Sequence, residues 1–263
     1  WIIKTLTPSE SHKTAIGLLV QARMGSTRLP GKVLIPFVNE DALLPLLIRR
    51  FRHAFPMLPL VVATSTNVGD DAIAACAHKE GVSVFRGAED DVLERFIGAM
   101  EEFGLEAGLR ICADNPFLMT DYAHAVLEKG KYSDADYVSH RVAETPAMQT
   151  HFGIFTEYVT RNALRKASKM AIPPEDRQHV TKFLYENPTV FNLRWIEADA
   201  DVQDVPDIRL TVDTANDFAI TQALWQKMGA QNKALQWPDL KQFLTNQPEL
   251  RRRMWQERTK QPK

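Results

Sequence analysis

The sequence predicts an α/β fold built on a mostly parallel, Rossmann-like central sheet. Two observations carry this. Short apolar runs of strand length alternate with helical patterns through the first half of the chain, the order expected when helices cover a parallel sheet. One run then opens into a Gly/Pro loop and two others end at an aspartate, where chain direction must change.

Ala15–Gln21 reads as the first strand, followed by the Gly/Pro loop and a helical stretch at Leu43–Ala54. Leu60–Thr64 is a second strand, Asp70–Lys79 a helix and Ser83–Arg86 a short strand. Glu89–Phe103 is amphipathic, with Val92, Phe96, Ala99, Met100 and Phe103 at helical spacing. Gly108–Ala113 is a strand that stops at Asp114-Asn115-Pro116. The second half is less regular. Ala135–Ser139, Gly153–Thr156, Val190–Ile196 and Arg209–Val212 read as strands, and Glu157–Lys169 and Arg177–Tyr185 as helices. Thr214–Met228 is a helix that opens on Thr-x-x-Asp, a capping-box pattern with Asp217 in place of Glu. Two helical stretches follow, one started by Trp237-Pro238. The organisation implied is a leader at 1–14, an α/β domain at 15–230 with an inserted or appended region over 130–210, and a helical extension at 231–263.

Composition narrows the function classes. Lys plus Arg number 32 and Asp plus Glu 33, a balance without the basic excess of a nucleic-acid binder. Cys76 and Cys112 lie in no CxxC pattern, which argues against zinc and a disulfide framework and for a reducing cytoplasm. The longest apolar runs, such as Ala42–Ile48, are too short to span a bilayer, and Trp1–Lys13 lacks a signal-peptide core.

The loop Gln21–Lys32, QARMGSTRLPGK, is the first candidate site. Ligands of open parallel sheets sit beyond the carboxyl ends of the strands. Gly25 and Gly31 allow close backbone approach to a phosphate, while Arg23, Arg28 and Lys32 would neutralise it. The loop is not a P-loop, because its glycines are one residue too far apart and Val33 replaces the metal-binding hydroxyl. No GxGxxG follows the strand. A basic surface turn closed by Pro30-Gly31 is the plain alternative. Asp114 and Asp213 form the second candidate. Both follow predicted strands, where two carboxylates could hold Mg²⁺ against triphosphate oxygens. Alternatively, Asp213 caps a helix and Asp114 makes an Asx turn.

The segments QARMGSTRLPGKVL, VVATS, VFRGAEDDVLERF, ADNP and RLTVDTANDF occur in that order. Together they resemble the cytidylyltransferase family of spore-coat polysaccharide type, with CMP-Kdo synthetases and acylneuraminate cytidylyltransferases as wider relatives. The resemblance runs from about Ala15 to Met228. It implies a nucleotide-diphospho-sugar transferase fold, and a Mg²⁺-dependent reaction of CTP with a sugar acid to give a CMP-sugar and pyrophosphate. It implies that Gln21, Ala22, Arg23, Gly25, Ser26, Arg28 and Lys32 meet the nucleotide, with Arg23, Lys32, Asp114 and Asp213 catalytic. Ala63, Thr64 and Ser65 would lie by the base, Asp91 and Arg95 would border the pocket, and Asp114 and Asp213 would be the metal carboxylates. Gly153 and Glu157 match a G-x-x-x-E element, and Gln178–Thr181 matches an EHVT with Gln in place of Glu. His151, Glu157 and His179 are the acceptor candidates.

Two departures stand beside Gln178. Ala113 replaces a usual glycine, and Arg141–His151 fits the family poorly where the acceptor would bind. Relatives of this type imply a homodimer. Three other readings remain open: transfer from another NTP or to another acceptor, a glycosyltransferase on the same fold, and a nucleotide-binding scaffold without activity.

Overall fold

The computed structural model describes residues 15–171, 173–228 and 235–260. The expected leader, 1–14, and residues 231–234 and 261–263 of the expected extension lie outside the described residues. The first half runs β1 (Ile16–Gln21), β2 (Pro36–Val38), β3 (Asp41–Ala42), α1 (Leu43–Ala54), β4 (Leu60–Ser65), α2 (Asp71–Lys79), β5 (Ser83–Gly87), α3 (Val92–Glu102) and β6 (Ala107–Cys112). Then follow α4 (Thr120–Lys131), β7 (Tyr137–Val142), β8 (Thr145–Pro146), β9 (Glu157–Thr160), α5 (Arg161–Met170), α6 (Pro174–Gln178) and α7 (Lys182–Glu186). β10 (Leu193–Glu197), α8 (Ala200–Gln203), α9 (Ala215–Met228), α10 (Trp237–Thr245) and α11 (Pro248–Lys260) complete the order.

An eight-stranded sheet takes the order β10-β7-β9-β6-β1-β4-β5, with β8 paired to β7. The ladders along this path are parallel except the two that β9 makes with β6 and β7. β2 and β3 form a separate antiparallel pair. β1 sits near the centre, and its Leu18, Leu19 and Val20 are fully buried, as a strand covered on both faces requires. α1, α2 and α4 pack on one face, and α3, α5 and α7 on the other. A third cluster joins β2, α9, α10 and α11 to the segment around Phe152 and Phe155.

α1 shows how the sequence makes these layers. Leu43, Leu44, Leu47, Ile48 and Phe51 recur on one helical face and are buried. Each buried leucine contributes roughly 1.5–3 kcal/mol. Phe55 ends the helix ahead of Pro56. Among the described residues no helix is long and apolar enough to cross a membrane.

The structure corrects the sequence reading in the second half. Residues 157–160, expected to open a helix, form β9, and α5 starts only at Arg161. Gly153–Thr156 and Arg209–Val212 are not strands, though Leu210 N donates to His151 O and Val212 N to Asp114 O. The helix expected at Arg177–Tyr185 breaks into α6 and α7. α4 is a further helix beyond those expected, and its buried Tyr122, Ala123, Val126 and Leu127 are flanked by charged residues. β7, β9 and β10 of the central sheet lie within residues 130–210, the region expected to be inserted or appended.

Candidate active site at the carboxyl edge of the sheet

The loop after β1 is curled by its own backbone. Met24 O accepts from Ser26 N at 2.8 Å and from Gly31 N at 3.0 Å. Gly31 has φ +69°, a left-handed conformation that glycine adopts without strain. Ser26 Oγ accepts from Leu29 N at 3.4 Å. Among the described residues, the N–H groups of Gly25 and Thr27 have no protein acceptor. Arg23, Gly25 and Arg28 are exposed, whereas Ala22 and Lys32 are buried.

Asp70, which the sequence reading left unassigned, anchors this loop. It is 3% exposed. Its carboxylate accepts from Met24 N at 2.7 Å, Thr64 Oγ1 at 2.9 Å, Ser65 N at 3.0 Å and Ser65 Oγ at 2.6 Å. Burial pushes the carboxyl up, but these four donors together outweigh it and hold it below its ordinary value. The hydroxyls of Thr64 and Ser65 are therefore committed to Asp70 inside the protein, and Ala63 is also buried. Of the three residues expected beside the base, none presents an exposed side chain. They tie the end of β4 to the loop.

Lys32 joins the two predicted aspartates. Its Nζ donates to Asp114 Oδ2 at 2.7 Å and to Val212 O at 2.6 Å, and lies 3.7 Å from Asp213 Oδ1. Arg28 reaches Asp213 Oδ1 at 3.2 Å. The backbone bond from Val212 N to Asp114 O, 3.1 Å, holds the two acidic segments side by side. Residues far apart in sequence thus meet at one ammonium.

Asp213 is positioned from behind. Arg209, a buried guanidinium, donates to Asp213 Oδ2 at 2.9 Å and to both oxygens of Asp217 at 2.7 and 2.9 Å. Asp217 Oδ2 also accepts from the N–H groups of Asp213 and Thr214, each at 3.0 Å. Thr214 Oγ1 accepts from Asp217 N at 3.1 Å. This is the capping box expected from the sequence, and it starts α9. Asp217 is buried, which pushes its carboxyl up, but Arg209 and the two N–H groups prevail and lower it.

The remaining candidates divide. Gln21 Oε1 accepts from Arg110 Nε at 3.0 Å and Nη2 at 2.8 Å. Arg110 also pairs with Glu157, which accepts from Tyr137 Oη at 2.7 Å and Thr181 Oγ1 at 2.6 Å. Glu157 is 1% exposed with both oxygens engaged. It was expected at the acceptor; the structure places it instead in the scaffold that fixes Gln21. Asp91 caps α3 through Glu94 N at 3.0 Å and pairs with Arg177 at 2.5 Å. Arg95 is buried, with Nη1 donating to the carbonyls of Ala88 and Glu89 at 2.6 and 3.2 Å. Both therefore stiffen the 87–95 segment. His151 is buried and accepts from Arg209 Nη1 at 2.5 Å. His179 is exposed, and its ring is held below its ordinary pKa by burial of part of the ring and by the charges of Arg110, Lys182 and Arg23. Among the described residues no group of three or more His, Cys, Asp or Glu is placed to hold a metal ion.

Known proteins are similar to this chain over most of its length. The family model described as Cytidylyltransferase matches residues 18–240. The spore coat polysaccharide biosynthesis protein SpsF of Bacillus subtilis (strain 168) is 35% identical over 216 residues, covering 80% of this chain and 86% of that protein. A solved cytidylyltransferase from Leptospira borgpetersenii serovar Hardjo-bovis (strain JB197) is similar with a TM-score of 0.80 and 25% identity, over 90% of this chain and 96% of that one. A CMP:2-keto-3-deoxy-manno-octonic acid synthetase solved in complex with CTP shares the fold, with a TM-score of 0.62 and 15% identity over 81% of this chain and 98% of its own. The chain belongs to the cytidylyltransferase family and is a nucleotidyltransferase.

Proposed function

We propose that the chain transfers CMP from CTP to a sugar acid of the Kdo or nonulosonate type, releasing pyrophosphate, in the synthesis of a surface polysaccharide or glycan. The observation that carries this reading is the convergence of Lys32, Arg28, Asp114 and Asp213 beside a loop with unengaged N–H groups. The family match supports cytidylyl transfer. The name of the Bacillus relative supports polysaccharide synthesis, and the CTP complex of the synthetase supports the base.

In this reading Arg23, Arg28, Lys32, Ser26 and the N–H groups of Gly25 and Thr27 grip the triphosphate. Gln21 reads the base. Arg110 donates twice to the Gln21 carbonyl oxygen, so the amide NH₂ is the group left to offer. Asp114 and Asp213 would hold Mg²⁺ through their hard carboxylate oxygens, the donor type that ion prefers. When bound, that ion supplies Lewis-acid withdrawal of charge from the phosphate oxygens. An acceptor hydroxyl oxygen attacks the α-phosphorus as its proton passes to solvent, the bond to the pyrophosphate oxygen breaks, and Lys32 and Arg23 stabilise the charge that builds. We further infer a cytoplasmic homodimer, the setting implied by the family resemblance and by the sparse cysteines.

The test is pyrophosphate release from CTP, UTP, ATP and GTP with 3-deoxy-manno-octulosonate or N-acetylneuraminate as acceptor. Release from CTP with a sugar acid is the expected result. Release from another triphosphate alone, or none at all with either acid, overturns the reading.

A further inference from the structure

The match to the family ends at residue 240, but the chain continues into α11. This helix is fixed rather than trailing. Leu250 and Met254 are buried in the cluster with α9 and α10. Arg251 grips Asp207 through two hydrogen bonds of 2.6 and 2.7 Å. Glu257 accepts from Asn216 Nδ2 at 3.2 Å and Thr214 Oγ1 at 3.5 Å, at the start of α9.

Held in this way, α11 forms one wall of a cavity of about 450 Å³, within the size range of small-molecule sites. Gln149, Thr150 and His151 also line it, and Gln203 of α8 contributes a further amide. Trp255 and Arg258 of α11 line it as well. Trp255 is 48% exposed, although an indole ordinarily buries most of its surface. Among the described residues Arg258 makes no ion pair or hydrogen bond. The nearby carboxylate of Asp207 is already taken by Arg251.

His151 connects this cavity to the site. A guanidinium only donates, so the His151 Nδ1 that meets Arg209 is an acceptor and the ring proton sits on Nε2. The same guanidinium holds Asp213. One buried side chain therefore spans from the cavity wall to the candidate metal carboxylate.

An indole face covers the C–H surface of a sugar ring. Amides and hydroxyls match its hydroxyl groups, and a guanidinium pairs with a carboxylate through two parallel bonds. We propose that this cavity is the sugar-acid subsite, with Arg258 binding the carboxylate and Trp255 covering the ring. This rests on the sugar-acid reading above and adds the C-terminal helix to the substrate site.

The test is calorimetric titration of the full chain with 3-deoxy-manno-octulosonate and N-acetylneuraminate, and with neutral N-acetylmannosamine as control, in the presence of CMP so that no turnover occurs. Arg258→Gln should weaken acid binding about ten- to a hundredfold and Trp255→Ala about tenfold, with Arg258→Lys retaining part of it. Unchanged melting temperatures confirm that the variants fold. The proposal is overturned if the wild type binds neither acid, if it binds the neutral sugar equally well, or if the variants bind as the wild type does. Pyrophosphate release separates the two readings. Acid binding that depends on Arg258 without release from CTP sinks the transfer reading and leaves the subsite. Release with an acid whose KM Arg258→Gln leaves unchanged sinks the subsite and leaves transfer.

Discussion

At Lys32 a single ammonium serves three oxygens: Asp114 Oδ2, Val212 O and, more distantly, Asp213 Oδ1. Lys32→Ala should lower kcat/KM for CTP on the order of 100-fold, as removal of a major electrostatic group does. Lys32→Arg should not restore it, because a planar fork does not replace a compact point charge in a buried three-oxygen setting. Asp213→Asn should cost a similar factor in a pyrophosphate-release assay, and near-normal turnover would remove Asp213 from the metal pair. Asp217 gives a pH prediction. Its carboxyl is lowered in the folded chain, so it contributes stability above the unfolded carboxylate value, about 3.9, and that stability is lost as pH falls through the lower folded value. Urea midpoints should therefore drop between pH 5 and pH 3, and Asp217→Asn should flatten that drop while lowering stability at pH 7. The loop residues were legible in the sequence because glycines and cations act locally. Asp70 and Arg209 were not, because their roles exist only after folding; Met24 and Asp70 are 46 positions apart.

Elements show the same division. α1 was legible from end to end because its buried apolar residues recur at helical spacing and a proline follows. β9 was not, because its four residues run directly into a helix and carry the buried charge of Glu157 where the pattern calls for an apolar residue. The ion pair with Arg110 explains that charge. Glu157→Leu, which leaves the guanidinium buried without its partner, should destabilise the fold by about 3–5 kcal/mol, measured by chemical denaturation. At α9, Thr214→Ala removes the acceptor for Asp217 N and should cost about 1 kcal/mol. Because the same turn holds Asp213, the variant should also lower kcat, which separates it from loss of a cap elsewhere.

The whole molecule responds to its ligand through mass action. CTP that binds only the folded chain should raise stability by about 2.7 kcal/mol at a concentration 100 times its Kd, so a thermal-shift series across the four nucleoside triphosphates should single out CTP. The alternation of strands and helices made the parallel sheet legible, but nothing local in the sequence marks β9, the strand of the main path that runs backwards. That reversal divides the loops by what a change in them can do. Every other strand on the main path finishes at the edge where Lys32 meets the aspartates, whereas β9 begins there. Its entering segment, 147–156, therefore belongs to the working edge, and the turn leaving it into α5 belongs to the opposite end. Gly153 marks how closely that segment is seated, since a Cβ there would come within 3.0 Å of the backbone at Leu210 and Thr211. Libraries that vary 147–152 while keeping Gly153 should change which acceptor is used, and equal diversity at the β9–α5 turn should change only expression and stability.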